Sequence, residues 1–130
     1  MAISYASEQI EYARRVADIL KAKGVKVFFD KFFETKMWGK DLAEYLKTVY
    51  YKESRYCMIF ISKDYVSKAW PTFELKCAIA KSIESMGEYI LPIRFDDSEV
   101  PGLVPTMKYL SAIEKTPEQI ADMFMEKLKD

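Results

Sequence analysis

The chain contains no histidine, and that absence removes Ser-His-Asp triads, Cys-His pairs, imidazole bases and nearly all zinc sites. Only four glycines occur, at 24, 39, 87 and 102, so neither GxGxxG nor a phosphate-cradling P-loop can be assembled. The two cysteines, Cys57 and Cys77, have no CxxC neighbour; they read as small buried hydrophobes rather than as a disulfide or a metal pair. Net charge is missing too. Twenty basic residues balance twenty acidic ones, which leaves no bulk attraction for nucleic acid or an anionic membrane. No apolar run approaches the roughly 20 residues that span a bilayer, and the densest, CMIFI at 57–61, is strand-sized. The opening MAISYASEQ lacks the basic and then apolar plan of a signal peptide, so a cytoplasmic location is expected. Chemistry on this chain must run on carboxylates, lysines, hydroxyls or aromatics.

What remains suits one domain over 1–130. Half of the residues are hydrophobic, and a chain of this length buries roughly two-thirds of its unfolded surface. Short β runs alternate with helix-length periodic segments, without repeats, linkers or low-complexity tracts. Strands are predicted at 2–4, 25–29, 56–61, 89–95 and 108–111 from β-branched and aromatic content. The 56–61 run is apolar throughout, as in a sheet covered on both faces. Pro92 favours a place away from the sheet centre. Helices are predicted over 7–23, capped by Ser7, facing inward with Ile10, Ala13, Val16, Ala17 and Leu20 and stopped by Gly24. Another follows Asp41, with Glu44 completing a capping box and Leu42, Tyr45, Leu46 and Val49 inward. A third runs from Ser67 to about Ser85, and a last one from the Thr116–Gln119 box to near Lys129.

Strand and helix repeated in this way predict an α/β class: a flavodoxin-like three-layer fold with a five-stranded parallel sheet in the order 2-1-3-4-5 and helices on both faces. Such folds bind ligands where the first and third strands diverge. The turn at 4–7 and the segment 62–74 would flank that crevice. The second of these contains the stretch AWPTFELK at 69–76, in which Trp70 is followed by Pro71 and, one helical turn on, by Glu74. Proline is at home in a first helical turn, where its missing N–H has no intrahelical partner.

Elimination narrows the ligand. SYASE after the first strand has hydroxyls but no glycine, which weakens flavin binding. The third strand ends in Ile61-Ser62-Lys63, without the phosphorylatable aspartate of a receiver. No close second carboxylate accompanies Glu74 as in a retaining glycosidase.

Together ISYASE, the FFD-to-WGK segment, FISKDYVSKAW leading into WxxxE, and RFDDSEVPGL resemble a bacterial Toll/interleukin-1 receptor (TIR) domain of the NAD+-cleaving type, over nearly the whole chain. The resemblance implies cleavage of NAD+ at the nicotinamide–ribose bond to nicotinamide plus ADP-ribose or a cyclic isomer, in bacterial immune defence or virulence signalling. It implies Glu74 as the essential residue and Trp70 as a wall of the pocket that influences the cyclic product. No cofactor is needed, since NAD+ is the substrate, and no metal. Partners would be other TIR domains, in a homo-oligomer or filament when active.

Each residue also has a plainer reading. Glu74 would otherwise be a solvated helix carboxylate and Trp70 a core anchor on the same helical face. Tyr5 and Ala6 either turn the chain or sit where NAD+ passes. Asp30 is a turn former or a ribose ligand. Phe32, Phe33, Met37 and Trp38 are loop packing, or a lid that stacks on a ring and mediates self-assembly. Tyr50, Tyr51 and Tyr56 read as core and surface filler, and Asp96, Asp97 and Glu99 as a solvated loop rather than a metal site. Only residues 1–4 supply the central strand, so the domain is expected to come from a longer protein. The rival function is a non-catalytic adaptor that only binds other TIR domains; a flavin or nucleotide carrier stands third.

Overall fold

Alternation of side chains decides how a wholly apolar strand is used. In the computed structural model, which describes residues 1–29, 34–41, 44–45, 48–69, 80–81, 89–100 and 107–129, four parallel strands form one sheet: β1 (Ala2–Ser4), β2 (Cys57–Ile61), β3 (Ile90–Arg94) and β4 (Leu110–Ser111), in that spatial order. All five residues of β2 are buried. Cys57, Ile59 and Ile61 enter one hydrophobic cluster while Met58 and Phe60 enter the other, as a period of two on a doubly covered sheet requires. Cys57 is a buried free thiol, in keeping with its reading as a small hydrophobe; Cys77 lies outside the described residues.

The predicted strand at 25–29 is reduced to one parallel bridge, Phe28 to Ala2, on the free side of β1. Phe28 donates its N–H to Met1 O at 2.7 Å, and Ile3 donates to Phe28 O at 3.1 Å. The strand order 2-1-3-4-5 therefore holds, with its outermost place filled by a bridge. A three-residue β1 offers too few partners for a longer ladder. Pro92 lies within β3, but β4 pairs only with Ile93 and Arg94, so among the described strands no partner on that side stands opposite the missing N–H.

One face of the sheet is covered by α1 (Ile10–Ala22), whose Ala13, Val16, Ala17 and Leu20 are buried. Ser7 does not cap it: residues Ser7–Gln9 form a 3-10 turn that precedes the α-helix, and the Ser7 hydroxyl donates to the neighbouring Glu8 carboxylate at 3.1 Å. The far end stops as predicted. Gly24 takes φ +87°, and the N–H groups of Gly24 and Val25 turn back to Lys21 O and Leu20 O, a closure that only a left-handed residue permits cheaply. A single turn, α2 (Glu34–Met37), comes next.

The last helix, α3 (Pro117–Leu128), carries the predicted capping box. Gln119 N–H donates to Thr116 Oγ1 while Thr116 N–H donates to Gln119 Oε1. Its Ile120, Ala121 and Phe124 pack in the cluster of α1. The other face holds Tyr50, Tyr65, Tyr89 and Val100. At the predicted second helix, Asp41 Oδ1 accepts the Glu44 N–H at 3.4 Å, Tyr45 packs on this core and Val49 is buried; Leu42 and Leu46 lie outside the described residues. Tyr50 and Tyr56 are buried. Among the described residues no helix is long and apolar enough to cross a membrane.

Candidate functional site

Neighbouring parallel strands whose connections leave toward opposite faces create a crevice at their C-terminal ends. β1 and β2 do this. The chain leaving β1 runs through Tyr5 and Ala6 into α1 on one face, while the chain leaving β2 sends Tyr65 into the cluster on the other.

The segment after β2 becomes helical at Lys63, not at Ser67 as the sequence suggested. Ser62 is its cap: Ser62 Oγ accepts the Tyr65 N–H at 3.0 Å, and Ser62 O accepts the Val66 N–H at 3.0 Å. These satisfy donors that a helix start otherwise leaves unpaired. Ser67 instead donates its hydroxyl back to Asp64 O at 3.2 Å. Residues Tyr65–Ala69 then form a π-helical turn.

Three ties hold this helix start in place. Ser62 donates its hydroxyl to Gln9 Oε1 at 3.0 Å. The hydroxyls of Ser4 and Tyr65, both buried, lie 2.7 Å apart. On the side of β3, Asp96 Oδ2 accepts the Lys63 N–H at 2.9 Å and Oδ1 accepts the Ser98 N–H at 2.9 Å. Asp96 is thus a cap between loops rather than only a solvated acid.

Desolvation alone would raise the Asp96 pKa. The backbone N–H groups of Lys63 and Ser98, the Ser98 hydroxyl and the Lys63 charge outweigh it, and the carboxyl sits below its usual range. A depressed folded value means the stabilisation is complete above the unfolded value, about 3.9, and is lost as pH falls through the folded one. Thermal melts taken from pH 7 downward should show the wild type above Asp96→Asn at neutral pH, with the two converging in acid. Parallel curves throughout would remove Asp96 from this role.

The expected site residues fall unevenly. Ala6 is buried in the cluster that contains Tyr65. Tyr5 points to the other face, where its ring stacks on Phe29 with centroids 5.0 Å apart. Trp38 is 86% exposed. Its neighbours Lys36 and Lys40 line a cavity of about 380 Å³ with Met1, Lys26 and Ser54, which precede the strands, so this part of the loop lies toward the opposite end of the sheet from Ser62. Met37 packs partly against the core. Glu74, Trp70, Asp30 and Phe33 lie outside the described residues, as does Phe32.

Sequence reasoning missed Ser4, Gln9, Ser62, Tyr65 and Asp96 as the frame of this region. Ser62 carried a local signal, a capping residue directly after a strand. The partners of Ser4 and Asp96 are too distant in sequence to leave one. No cluster of His, Cys, Asp or Glu suited to a metal occurs among the described residues.

Comparison with known proteins places this geometry in context. The model of the TIR domain family matches residues 1–128. The chain is 44% identical over 129 residues to the 3' cyclic ADP-D-ribose synthase AaTIR of Aquimarina amphilecti, covering 99% of this chain and 39% of that protein. It is 28% identical over 133 residues to the 2' cyclic ADP-D-ribose synthase AbTIR of Acinetobacter baumannii (strain 1295743), covering 95% and 48%. It is 35% identical over 92 residues to the NAD(+) hydrolase TcpA of a Theionarchaea archaeon (strain DG-70-1), covering 70% and 27%. The chain therefore spans less than half the length of each of these relatives. Among solved structures, the TIR domain of the Toll-related receptor TRR-2 from Hydra magnipapillata superposes with a TM-score of 0.65 at 20% identity, over 98% of this chain and 92% of that one, a likeness of fold alone.

Proposed function

The chain belongs to the TIR domain family, and from that premise we propose that it cleaves NAD+ at the nicotinamide–ribose bond, giving nicotinamide and ADP-ribose or a cyclic ADP-ribose isomer. The observation that carries this reading is the 44% identity, spread across 99% of the chain, to a protein named as a cyclic ADP-ribose synthase. Two further relatives named for NAD+ hydrolysis and cyclic ADP-ribose synthesis support it.

The chemistry suits a chain without histidine. Nicotinamide departs with the electron pair of the C1'–N bond, turning from a cationic pyridinium into a neutral molecule, so no general acid is required. Positive charge passes to the ribose, whose oxocarbenium character a carboxylate stabilises. Glu74 is the residue we assign to this task, with Trp70 as an aromatic wall. Tyr5, Ala6, Asp30 and Phe33 are assigned to substrate contact, and Trp38, exposed toward the opposite end of the sheet, to contact between copies of the domain. Capture of the cation by water, which loses a proton, gives ADP-ribose; capture by a nucleophile of the same ADP-ribosyl unit gives a ring. The reaction consumes NAD+ and calls for no cofactor. We assign the domain to cytoplasmic immune or virulence signalling, active when several copies associate.

The test is nicotinamide release from NAD+ by the wild type at high protein concentration, followed by chromatography of the remaining nucleotide. Release is expected, and the second product distinguishes ADP-ribose from a cyclic isomer. A folded, concentrated wild type that releases none would refute the enzyme and leave an adaptor.

A further inference from the structure

Arg94 ends β3, in register with Ile61 of β2 and Ser111 of β4. Its side chain is half-buried, and the Nε atom is buried without a hydrogen-bond acceptor. Among the described residues the guanidinium makes no ion pair either. It stands instead over the ring of Tyr109, 4.3 Å from the centroid. Both residues line a cavity of about 740 Å³ beside β4, together with Lys108, Lys115, Asp97 and Glu114. Asp96 lines it too, but its carboxylate already accepts the N–H groups of Lys63 and Ser98.

A buried donor without an acceptor is a cost that native proteins rarely leave standing. A guanidinium stacked on an aromatic ring presents a fixed fork of donors, which carboxylate and phosphate oxygens fit two at a time. Two lysines in the same cavity carry the positive charge beyond what a single carboxylate balances, which favours phosphate. Asp97 and Glu114 would repel a bare anion; they suit a ligand that also brings hydroxyl donors. The volume matches sites for small organic molecules rather than for one oxyanion.

We propose that this cavity binds a hydroxyl-bearing organic phosphate, a nucleotide or sugar phosphate, with the phosphate on Arg94 and hydroxyls on Asp97 and Glu114. Lys108 and Lys115 add charge at its mouth, and the exposed side of Tyr109 offers an apolar surface for the rest of the ligand. The site lies on the β3–β4 side of the sheet, away from the crevice between β1 and β2. Its occupant is the phosphate-bearing part of NAD+ or a separate nucleotide, and the chemistry of recognition is the same for both.

The test is titration of the whole chain with ribose 5-phosphate, read on the Arg94 Nε–H resonance in proton–nitrogen NMR and assigned by its loss in Arg94→Lys. The probe is expected to shift that resonance with a Kd of about a millimolar, ordinary for a ligand of this size. Ribose alone should leave it in place, and inorganic phosphate should bind more weakly for want of hydroxyls. In calorimetry, Arg94→Gln should lower the affinity roughly tenfold or more, with circular dichroism to confirm the fold. Arg94→Lys should lose most of the affinity too, since it keeps the charge but not the fork. Lys108→Gln, at an exposed position, gives a smaller loss in the same direction if Arg94→Gln does not fold. A resonance that ribose 5-phosphate does not move, or an affinity unchanged in Arg94→Gln, would overturn the site. Inorganic phosphate binding as tightly as ribose 5-phosphate would overturn the assignment to an organic phosphate. Steady-state kinetics separates the two sources: Arg94→Gln raises the KM for NAD+ if the occupant is part of the substrate, and leaves it unchanged if it is a separate nucleotide. A wild type that released no nicotinamide would remove the proposed reaction but not the site, which the titration decides by itself.

Discussion

Glu74→Gln is expected to reduce nicotinamide release by at least about a hundredfold, the scale on which removing one preorganised electrostatic group slows a charged transition state. The change keeps side-chain length and shape, removes the negative charge and replaces one acceptor oxygen by an amide donor. The loss should appear in kcat, since the charge it answers develops only as the C1'–N bond breaks; binding of NAD+ should weaken far less. Steady-state kinetics of both proteins at equal concentration, with circular dichroism to confirm the fold, checks this. Equal turnover in the two would take the catalytic role from Glu74, and a rise in KM with unchanged kcat would make it a binding group.

The second large effect lies beneath the site. Ile59 is fully buried at the middle of β2, where it aligns with Ser4 of β1 and Pro92 of β3, in the cluster that holds Tyr50, Tyr65 and Tyr89. Ile59→Ala removes three methyl or methylene carbons from a strand that is hydrogen-bonded on both sides and cannot collapse onto the gap. A loss of about 2–5 kcal/mol is expected, a large part of the roughly 5–15 kcal/mol that a domain possesses. Urea denaturation should show a lower midpoint with an unchanged slope. A loss under about 0.5 kcal/mol would mean that this face of the sheet repacks freely, contrary to the usual rigidity of cores.

Much of the fold was legible because it depends on local periodicity. The inward face of α1, the Gly24 stop, the Thr116–Gln119 box and the doubly buried run at 57–61 are all patterns within a turn or two of chain, and the structure reproduces each. The misreadings came where two local signals competed. Ser7 and Ser67 both look like caps, yet the chain uses Ala6 and Ser62 at those points, because the first turn after each strand is set by how the backbone leaves the sheet. Only Ser62 stands where its hydroxyl meets the N–H of Tyr65. The strand at 25–29 had the right composition and only one bridge to make, since β1 beside it is three residues long.

Of the candidate site, the pattern from Trp70 to Glu74 could be read directly from the sequence, together with the resemblance to its family. The same string could not reveal that Ser4 meets Tyr65 across 61 residues, or Asp96 the N–H of Lys63 across 33. Composition and periodicity determined the α/β class and the exclusion of histidine chemistry, since these follow from residue types and their spacing. Tertiary structure alone decided that Tyr5 and Ala6 part to opposite faces and that Ser4, Gln9, Ser62 and Asp96 hold the helix start. A hydrogen bond between distant residues adds nothing to local periodicity, and its partners are chosen only when the sheet brings its strand ends together.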